Sequence, residues 1–587
     1  MCGIAGLFGP NGDDSQTAYK MAKLLNHRGP DGIRSWSDSC NNGGVGFGHT
    51  RLSIVDIVGS NQPLHSDSSC VLIVNGEIYN HQEIRNAQRD FSFRTKGDGE
   101  AILAAYDARE DDFSWVQRLN GIWAFALWDP KSERLLLCRD RLGVKPLIRS
   151  VTDEGTLLFG SEVKSLRGHP EHTPALDLDA LVARIAFEYP LDETTLFEDV
   201  HSVRPGTIES WKLSASGAQL ESVHYWVKGG QITTSGDWTP SKNASTLLES
   251  LTSSVADRLM SDVPLGIVLS GGLDSAMVAA LAHEASERTG YPLPACWTVA
   301  ESEDNPDWVA AEEVCSALEL EHHQHLLDEN AFSTSLPDLA WHGEDLDVTV
   351  LFFQPLFAKM AESVTVGLCG QGADELHAGY PRYRNLTAHS DLIRRRLESC
   401  QHPFSNTLLN GPINQPGWRG EHNPAVAFSD LESTLDYELE HGQLSNFQLR
   451  LVDRHSMAHG LEVRVPFLGV DHLEASSGLP LDWKLSTNVE KVALREAANL
   501  TRLPKHIVNR PKLPAGRATS PTMIDNLLND LQGHAIEYAN DIPSISGMFS
   551  QQPEISLGLR LFRSMHITDG GVNRYGKDLM TLLEDVD

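Results

Sequence analysis

The chain has 587 residues, more than one hydrophobic core usually organises, so we expect at least two domains. Asp and Glu number 80 against 48 Lys and Arg, which gives a formal net charge of −32. So acidic a chain is not expected to bind nucleic acid, because phosphate contacts need cationic side chains. No apolar run approaches about 18 residues, and we therefore expect no membrane partner.

The cysteines indicate a reducing compartment. Eight of them are scattered along the chain, and none forms the Cys-x-x-Cys pair of zinc or thioredoxin-like sites. Thiols spaced in this way are typical of cytosolic proteins. The apolar start of the chain lacks the charged segment that opens a signal peptide, so a cytoplasmic location is predicted.

Short strands with few long helices are predicted over the N-terminal third of the chain. The predicted strands are residues 2–8, 71–74, 123–128 and 134–138. The apolar run at 71–74 ends in Asn75-Gly76, a turn signal. The last two strands flank an Asp-Pro pair, which predicts a hairpin.

Cys2 becomes the N-terminal residue if Met1 is removed. A terminal cysteine carries a thiol nucleophile and, beside it, an α-amine whose pKa lies near neutrality. Such a residue can attack a carboxamide without a separate histidine. The alternatives are an ordinary small residue or a lipidated cysteine, although no signal sequence precedes it.

Four further residues suit a glutamine site around Cys2. Glutamine needs an anion-binding group for its α-carboxylate, an acidic group for its α-ammonium and donors for the oxyanion. Arg51, Asp98 and the Asn75 side chain with the Gly76 backbone N–H could supply them. Taken singly, each residue is typical of an ordinary surface or turn position.

A set of ordered motifs makes this part of the chain similar to a known family. The motifs are Cys2-Gly3-Ile4, His27-Arg28-Gly29-Pro30-Asp31, Arg51-Leu52-Ser53, Asn75-Gly76-Glu77, Gly97-Asp98-Gly99-Glu100 and Arg139-Asp140-Arg141-Leu142-Gly143. With them, residues 1–210 resemble the class II glutamine amidotransferase domain of the N-terminal-nucleophile type. The resemblance implies an αββα sandwich.

The same resemblance implies roles for individual residues. Cys2 would attack the side-chain amide of glutamine and release ammonia. Asn75 and Gly76 would form the oxyanion hole, and the substrate would be held by Arg51, Asn75, Glu77 and Asp98.

The composition changes at residues 211–245, which are rich in Ser, Thr, Gly and Lys. We predict that they link the first domain to a second domain of residues 246–520. In the second domain, apolar strands alternate with helices, which indicates a parallel sheet of α/β type with helices on both faces. Residues 521–587 carry no interpretable motif and are predicted to be a C-terminal extension.

The strongest motif of the second half is Leu-Ser-Gly-Gly-Leu-Asp-Ser at residues 269–275. It follows a predicted strand and opens a helix, so its glycines and helix N-terminus can hold an anion. Ser270 and Ser275 add hydroxyl donors, and Asp274 suits a Mg²⁺ ligand. The motif is not a Walker A loop, because Gly-Lys-Ser/Thr is missing.

This segment resembles the PP-loop of ATP pyrophosphatases, and the chain to about residue 517 resembles the glutamine-dependent asparagine synthetase family. Matching segments follow in the family's order at residues 341–349, 368–376, 460–468 and 490–496. The resemblance implies ATP and Mg²⁺ as cofactors. The ATP-binding residues it implies are Leu269, Ser270, Gly271, Gly272, Asp274, Ser275, Val299, Gly370 and Gln371.

Charge suggests roles for the remaining candidates. Asp274 and Asp347 would bind Mg²⁺, and Lys491 would offset charge on the phosphates. Asp347 lies three residues after Glu344, so a helical turn would bring both to one site. Glu344 would then accept a proton as ammonia attacks an acyl-adenylate. By the resemblance, Lys491 belongs to a catalytic-lysine helix.

Departures from the family's commonest form leave the acceptor open. Cys369, Gln371 and Gly469 replace Ser, Glu and an acidic residue. The leading hypothesis is amidation of aspartate to asparagine, and the runner-up is the same chemistry on another carboxylic acid. An inactive regulatory protein and a lactam-forming synthetase are further readings, which the intact Cys2 opposes. Small molecules are the expected partners, and a homodimer stays open.

Overall fold

Three sheets organise the molecule in the computed structural model, which describes residues 2–226, 237–410, 427–513, 519–571 and 574–586. Two six-stranded antiparallel sheets form the N-terminal part, and a five-stranded parallel sheet forms the C-terminal part. The predicted combination of α+β and α/β domains is confirmed.

The N-terminal part contains twelve strands and four α-helices among its described residues. The strands are β1 Cys2–Gly9, β2 Gly32–Cys40, β3 Gly43–Arg51, β4 Leu64–His65, β5 Val71–Ile78, β6 Gly121–Asp129, β7 Arg134–Arg139, β8 Ile148–Val151, β9 Leu157–Gly160, β10 His201–Ser202, β11 Thr207–Ser214 and β12 Gly217–Tyr225. The helices are α1 Ser15–Lys23, α2 His81–Ala87, α3 Glu100–Asp107 and α4 Leu178–Phe187, with 3₁₀ turns at Ser114–Arg118 and Val163–Gly168.

The two antiparallel sheets stack face to face. Their strand orders are β10-β8-β9-β1-β3-β2 and β12-β11-β7-β6-β5-β4. A shared core that includes Phe47 and Trp128 lies between them, α1 covers the first sheet and α3 covers the second. Because both faces of each sheet are covered, β5 and β6 are continuous apolar runs rather than alternating ones. The predicted αββα sandwich is therefore confirmed.

The C-terminal part places helices around a parallel sheet of order β15-β14-β13-β16-β17. Its strands are β13 Leu265–Val268, β14 Ala295–Ala300, β15 His322–Leu326, β16 Val366–Leu368 and β17 Glu462–Arg464. Its first helices are α5 Pro240–Arg258, α6 Leu273–Thr289 and α7 Pro306–Leu318. The later helices are Glu329–Thr334, Leu336–Gly343, Phe353–Ala361, Ala373–His377, Leu386–Glu398, Phe404–Asn410, Leu431–Glu440, Leu449–Met457, Val470–Ser477, Leu481–Lys484, Val492–Ala498, Lys505–Val508, Pro521–Asp530, Gln532–Tyr538, Glu554–Phe562 and Leu579–Glu584. Short 3₁₀ or π segments lie at Pro381–Arg384, Leu444–Gln448, Pro466–Leu468, Ser546–Gln551, Arg563–Ile567 and Thr568–Gly571.

The predicted linker at 211–245 is wrong at both ends. Residues 211–225 belong to β11 and β12, which pair with each other and with β7 in the second antiparallel sheet. Helix α5 of the next domain already begins at Pro240. Of the Ser, Thr and Gly residues that suggested a linker, Ser214, Ser216, Gly217 and Ser222 lie in this hairpin or its turn, since such residues favour turns between strands as well as connections between domains. Residues 227–236 lie outside the described ranges.

The C-terminal extension joins the two domains. Gln552 Nε2 donates to the carbonyl of Ile185 in α4 at 3.0 Å. The ring of Phe562 lies 5.0 Å from that of Phe197, centroid to centroid, and His566 stacks on Trp341 at 5.4 Å. Residues after 520 therefore close the joint between the sandwich and the parallel-sheet domain. None of the helices in the described ranges is long and apolar enough to cross a membrane.

Candidate active sites

The first candidate site lies at one end of the sandwich, where the ends of β1 and β3 face β5 of the other sheet. Strand pairing sets Cys2 of β1 directly opposite Arg51 of β3, because the register joins these two residues. Together with Gly76, Glu77 and Asp98 they line one pocket with about 430 Å³ of space. The structure thus brings five of the predicted glutaminase residues to one pocket.

Asn75 and Gly76 contribute hydrogen-bond donors beside Cys2. The Cys2 N–H donates to Asn75 Oδ1 at 3.2 Å, so the amide oxygen of Asn75, not its amide nitrogen, binds the Cys2 backbone. That nitrogen is buried and has no hydrogen-bond partner among the described residues. Gly76 has a φ of +154°, and a Cβ there would lie 2.1 Å from the carbonyl oxygen of Ile122. The close approach requires glycine, and the site is left with a donor that a developing oxyanion could accept.

The thiol of Cys2 needs a base nearby. Burial raises its pKa above the ordinary value, although the positive charge of the chain's terminal amine opposes the shift. A thiol in this environment is a poor nucleophile until its proton is removed. The α-amine that Cys2 gains when Met1 is removed would lie within the same residue.

Arg51 and Asp98 are held by backbone groups. The guanidinium of Arg51 donates to the carbonyls of Asp56 and Ile57, both at 2.8 Å. Asp98 Oδ2 accepts from the Ile78 N–H at 2.7 Å, and burial raises the pKa of its carboxyl. Burial also raises the pKa of Glu77, which lies near Asp98. The pocket thus presents one fixed cation and two desolvated carboxyl groups.

The second candidate site lies at the carboxyl end of β13. Residues 269–275 leave this strand and enter α6, as predicted from the sequence. Gly271 has a φ of +68°, and a Cβ there would lie 2.7 Å from the Ala311 nitrogen. The Ser270 and Ser275 hydroxyls lie 3.2 Å apart on the inner side of the loop. Glycine and the hydroxyls therefore leave the loop open to an anion at a helix N-terminus.

The loop after β16 completes this site. A Cβ on Gly370 would lie 2.8 Å from the Ser275 nitrogen, so the two loops touch backbone to backbone. Together they border a pocket with about 840 Å³ of space. The predicted nucleotide residues that line it are Leu269, Ser270, Asp274, Ser275, Val299, Gly370 and Gln371. Gly272, also predicted, caps α6 and lines an adjoining pocket.

A cluster of four charges lies between these pockets. Lys491 Nζ lies 2.5 Å from carboxylate oxygens of both Asp274 and Asp374. Lys512 Nζ lies 2.7 Å from the second oxygen of Asp374. Burial opposes ionisation of Asp374, but Lys491 and Lys512 hold the pKa of its carboxyl below the ordinary value. The cluster therefore places the carboxyl groups of Asp274 and Asp374 and the amino groups of Lys491 and Lys512 beside the loop.

Asp374, Lys512 and a neighbouring pair of Arg510 with Asp307 were not predicted as site residues. The ion pair joins Arg510 Nη2 and Asp307 Oδ1 at 2.7 Å. Asp374 could have been found, because it follows a strand that is parallel to β13, and the carboxyl ends of such strands share one edge. No local pattern points to Lys512, which reaches the site from a distant part of the chain.

Glu344 and Asp347 do not share a helical turn, and that prediction is wrong. The helix ends at Gly343, and Glu344 follows it with a φ of +48°. Asp347 Oδ1 accepts from the Thr349 N–H at 2.7 Å. Neither residue is among those lining the nucleotide pocket. The left-handed residue after the helix breaks the three-residue spacing on which the prediction depended.

Glu344 instead lies at the domain interface. Its carboxylate accepts from the backbone N–H of Val163 at 3.0 Å and of Lys164 at 2.8 Å. The Lys164 ammonium lies 3.1 Å away and the Arg454 guanidinium 2.9 Å away. Burial would raise the pKa of Glu344, but these two cations lower it to about 2.

Buried ion pairs connect this interface to the first site. Arg28 Nε donates to the Cys2 carbonyl at 3.3 Å, and Arg28 Nη1 donates to Glu162 at 2.7 Å. Glu162 also accepts from Lys164 Nζ at 2.5 Å, and Lys164 reaches Glu344. Arg28, Glu162, Lys164 and Glu344 are all almost completely buried. A continuous chain of polar contacts therefore runs from Cys2 to Glu344.

Lys491 does not lie within a helix as predicted. It precedes the helix Val492–Ala498 with a φ of +56°. In this position its side chain turns back toward Asp274 and Asp374 instead of following the helix surface.

Comparisons with known proteins match both halves of the chain. Residues 1–226 match a family model described as a glutamine amidotransferase domain, and residues 246–543 match one described as asparagine synthase. The asparagine synthetase (glutamine-hydrolysing) 1 of Bacillus subtilis is 27% identical over 570 residues, with 87% of this chain and 86% of the relative covered. A putative asparagine synthetase (glutamine-hydrolysing) of Mycobacterium tuberculosis is 31% identical over 581 residues, with 87% of each chain covered. A third relative, from Asparagus officinalis and with the same enzyme name, is 28% identical and covers 92% of this chain and 80% of its own.

Proposed function

This chain belongs to the asparagine synthase family, with a glutamine amidotransferase domain in front, and we propose that it transfers ammonia from glutamine to a carboxylic acid activated by ATP. It is a glutamine-hydrolysing, asparagine synthetase-like ligase. The chain of buried ion pairs from Cys2 to Glu344 carries the proposal, because it physically joins a glutaminase site to a residue of the synthetase domain.

The first step is glutamine hydrolysis at Cys2. The α-amine of the processed Cys2 takes the thiol proton, and the sulfur attacks the carboxamide carbon of glutamine. The Asn75 amide and the Gly76 N–H bind the oxygen that becomes negative, since the Asn75 nitrogen is otherwise without a partner. Ammonia leaves with the transferred proton, and water then cleaves the thioester to release glutamate.

Recognition of glutamine uses both ends of the amino acid. Arg51 pairs with the α-carboxylate. The carboxyl groups of Glu77 and Asp98 accept the α-ammonium, and its charge favours the ionised form that burial disfavours.

The second step takes place at the PP-loop. An oxygen of the acceptor carboxylate attacks the α-phosphorus of ATP, and pyrophosphate leaves, so that an acyl-AMP forms. Hydroxyls of Ser270 and Ser275 and the N-terminus of α6 hold the phosphates. Lys491 and Lys512 offset the negative charge that develops on the leaving group. Leu269 and Val299 border the space for the adenine ring.

Mg²⁺ fits the carboxylates of this site. The described residues contain no group of three protein ligands, but Mg²⁺ bound with a nucleotide commonly takes one or two carboxylates and completes its shell with phosphates and water. Asp274 and Asp374 would hold it, since both already face the same ammonium group. When bound, Mg²⁺ supplies positive charge to the phosphates. Asp347, which the sequence suggested as a second Mg²⁺ ligand, accepts a hydrogen bond from the Thr349 N–H and does not line this pocket.

In the third step ammonia attacks the acyl carbon and AMP leaves. The proton lost by the attacking ammonia passes to the leaving AMP phosphate or to water. Glu344, the proton acceptor expected from the sequence, does not suit this step, because Lys164 and Arg454 lower its pKa to about 2 and it does not line the nucleotide pocket.

Aspartate is the first acceptor to test, because the relatives are named asparagine synthetases. A second candidate is a less polar carboxylic acid. Phe352, Phe353, Leu356 and Phe357 form an apolar part of the lining of the nucleotide pocket. Among its described lining residues, Lys512 is the single cationic one. Aspartate carries two carboxylates and would gain little from such a wall. The homodimer and the cytoplasmic location remain predictions.

The test supplies Mg-ATP, amide-¹⁵N-labelled glutamine and one carboxylic acid at a time to the purified protein. Pyrophosphate and AMP release and the mass of the product are followed. We expect ¹⁵N-asparagine with aspartate. Pyrophosphate release only with apolar acids would establish the second candidate. Glutamine hydrolysis with no amide from any acid, or none of either reaction, would refute the proposal.

A further inference from the structure

The synthetase domain fastens the loop that covers the glutamine pocket. We call residues 52–61 the glutamine loop, because Leu52, Ile54 and Ser60 of this loop line the pocket. Asp262 makes two hydrogen bonds to it. The Asp56 N–H donates to Asp262 Oδ2 at 2.8 Å, and the Asp262 N–H donates to the Ile54 carbonyl at 2.9 Å.

Asp56 makes several of the hydrogen bonds that hold this loop. Its φ is +51°, a left-handed conformation that costs a residue other than glycine about 1 kcal/mol or more. Its carbonyl accepts from Arg51 Nη2 at 2.8 Å. Its carboxylate accepts from the N–H groups of Gly59 at 3.1 Å and Lys96 at 2.8 Å. The conformation of Asp56 therefore decides where the Arg51 guanidinium points.

The bond from Asp262 acts on that conformation directly. Asp262 Oδ2 receives the N–H of the strained residue itself, and its own N–H holds the chain two residues earlier. The other end of the loop is fixed within the glutaminase domain, where Ser53 N–H donates to Asp31 Oδ2 at 2.7 Å. The glutamine loop is thus held by residues of its own domain, which include Asp31, Arg51 and Lys96, and by Asp262 of the other domain.

Asp262 also lies just before β13, the strand that leads into the PP-loop. β13 is paired in parallel with β14 on one side and β16 on the other, so it is a stiff element of the sheet. Its amino end holds the glutamine loop and its carboxyl end holds the nucleotide loop. A single short strand therefore connects the two loops.

We propose that Asp262 is a positioning residue for glutamine, supplied by the synthetase domain. It fixes Asp56 so that Arg51 faces the α-carboxylate of glutamine. Through β13, the same contact makes the affinity for glutamine depend on the state of the PP-loop. This inference rests on the proposed function, because it assigns Arg51 to glutamine binding.

Asp262 suits mutation because its side chain is exposed. Removing it leaves no buried charge without a partner, so the protein should fold. Asp262→Ala removes the acceptor for the Asp56 N–H, whereas Asp262→Asn keeps one amide oxygen there. Glu287→Ala, which removes an exposed carboxylate from α6 of the same domain, is the matched control.

We expect Asp262→Ala to raise the KM for glutamine by roughly 10-fold, the size of one hydrogen bond to a charged group. The kcat of glutamine hydrolysis and the ammonia-dependent synthesis should change by less than about 2-fold, because Cys2 and the PP-loop keep their contacts. Asp262→Asn and Glu287→Ala should resemble the wild type. Mg-ATP should lower the KM for glutamine in the wild type and leave it unchanged in Asp262→Ala.

Hydrogen exchange of residues 52–61 provides a second measurement that does not require activity. We expect faster exchange in Asp262→Ala and protection by Mg-ATP only in the wild type. An unchanged KM together with unchanged exchange would overturn the inference, and so would a parallel loss of ammonia-dependent synthesis, which indicates general damage. A wild type that hydrolyses no glutamine would refute the proposed function, while the exchange data would still decide whether Asp262 holds the loop.

Discussion

The two candidate sites differ in how their residues are brought together. In the glutaminase site, strand pairing places Cys2 opposite Arg51. The turn predicted at Asn75-Gly76 does not form, because both residues lie within β5 and pair with β6. In the synthetase site, the residues expected to act together separate into two groups. Asp274 and Lys491 lie at the PP-loop, whereas Glu344 lies at the domain interface.

The difference shows which kind of inference from sequence is reliable. Pairing register fixes strand residues over their whole length, so motifs at strand ends meet where the sheet requires. A pair placed by helical spacing depends on the helix continuing, and a single left-handed residue at Glu344 ends it. Glu344 is consequently held by the glutaminase domain, and the two domains meet at this residue.

The largest expected effect comes from Cys2→Ala, which should abolish the activity of the first site and leave that of the second. We expect glutamine hydrolysis and glutamine-dependent synthesis to fall by at least about 10³-fold, because the covalent step is lost. Ammonia-dependent synthesis should be retained, since the PP-loop residues are untouched. The measurement is pyrophosphate release with glutamine and with ammonium chloride. Cys40→Ala, at a half-buried cysteine of the same domain, is the control. Loss of both activities in Cys2→Ala would contradict the separation.

The reciprocal change is Lys491→Met. Removing the ammonium that faces Asp274 and Asp374 should lower synthesis with either nitrogen source by about 10²–10³-fold, the usual effect of losing one group that stabilises developing charge. Glutamine hydrolysis should persist. Lys505→Met, in the short helix Lys505–Val508, serves as the control. If glutamine hydrolysis falls as steeply as synthesis, Lys491 does not act at the PP-loop alone.

The buried ion pairs between the two domains are tested by Lys164→Met. Lys164 is fully buried between Glu162 and Glu344, so its removal should lower the free energy of unfolding by about 3–5 kcal/mol. The amount of glutamine consumed per amide formed should also rise. Urea denaturation and the ratio of glutamate to pyrophosphate are the measurements.

Arg288→Ala is the matched change at the surface. Arg288 pairs with Glu249, and both side chains are substantially exposed, so about 0–1 kcal/mol should be lost and the ratio should stay unchanged. Equal losses of stability in Lys164→Met and Arg288→Ala would argue that the buried joint has no special role.

The smallest expected effect is a pH dependence. The pKa of Glu344 is about 2 in the folded protein and about 4.3 in an unfolded chain. Its ionised form therefore stabilises the fold above about pH 4.3, by up to roughly 3 kcal/mol, and this contribution is lost as the pH falls toward 2. The difference in unfolding free energy between the wild type and Glu344→Gln should be constant from pH 5 to pH 8 and shrink below about pH 4. A difference that grows above pH 5 would show that Glu344 is not held as an ionised partner of Lys164 and Arg454.

Much of the fold and part of each site could be predicted from the sequence. Alternation of strands and helices predicted the parallel sheet, and local motifs predicted the residues around Cys2 and the loop at 269–275. These features depend on contacts between neighbours in sequence or in a sheet.

The rest depends on contacts between distant segments. Lys512 reaches Asp374 from far along the chain, and Glu344 is held by Val163 and Lys164 of the other domain. The hairpin of β11 and β12 was mistaken for a linker because its polar composition resembles one. No local pattern contains this information.

The helices after residue 520 have a consequence for the order in which the protein is made. The glutaminase sandwich is complete at Tyr225, whereas Gln552, which contacts Ile185, is translated more than 300 residues later. At about 5–20 residues per second, ribosomes need on the order of tens of seconds to cover that distance. In a nascent chain, the folded glutaminase domain therefore exposes the surface that the last helices later cover. The two domains pack together fully only after these helices have been synthesised.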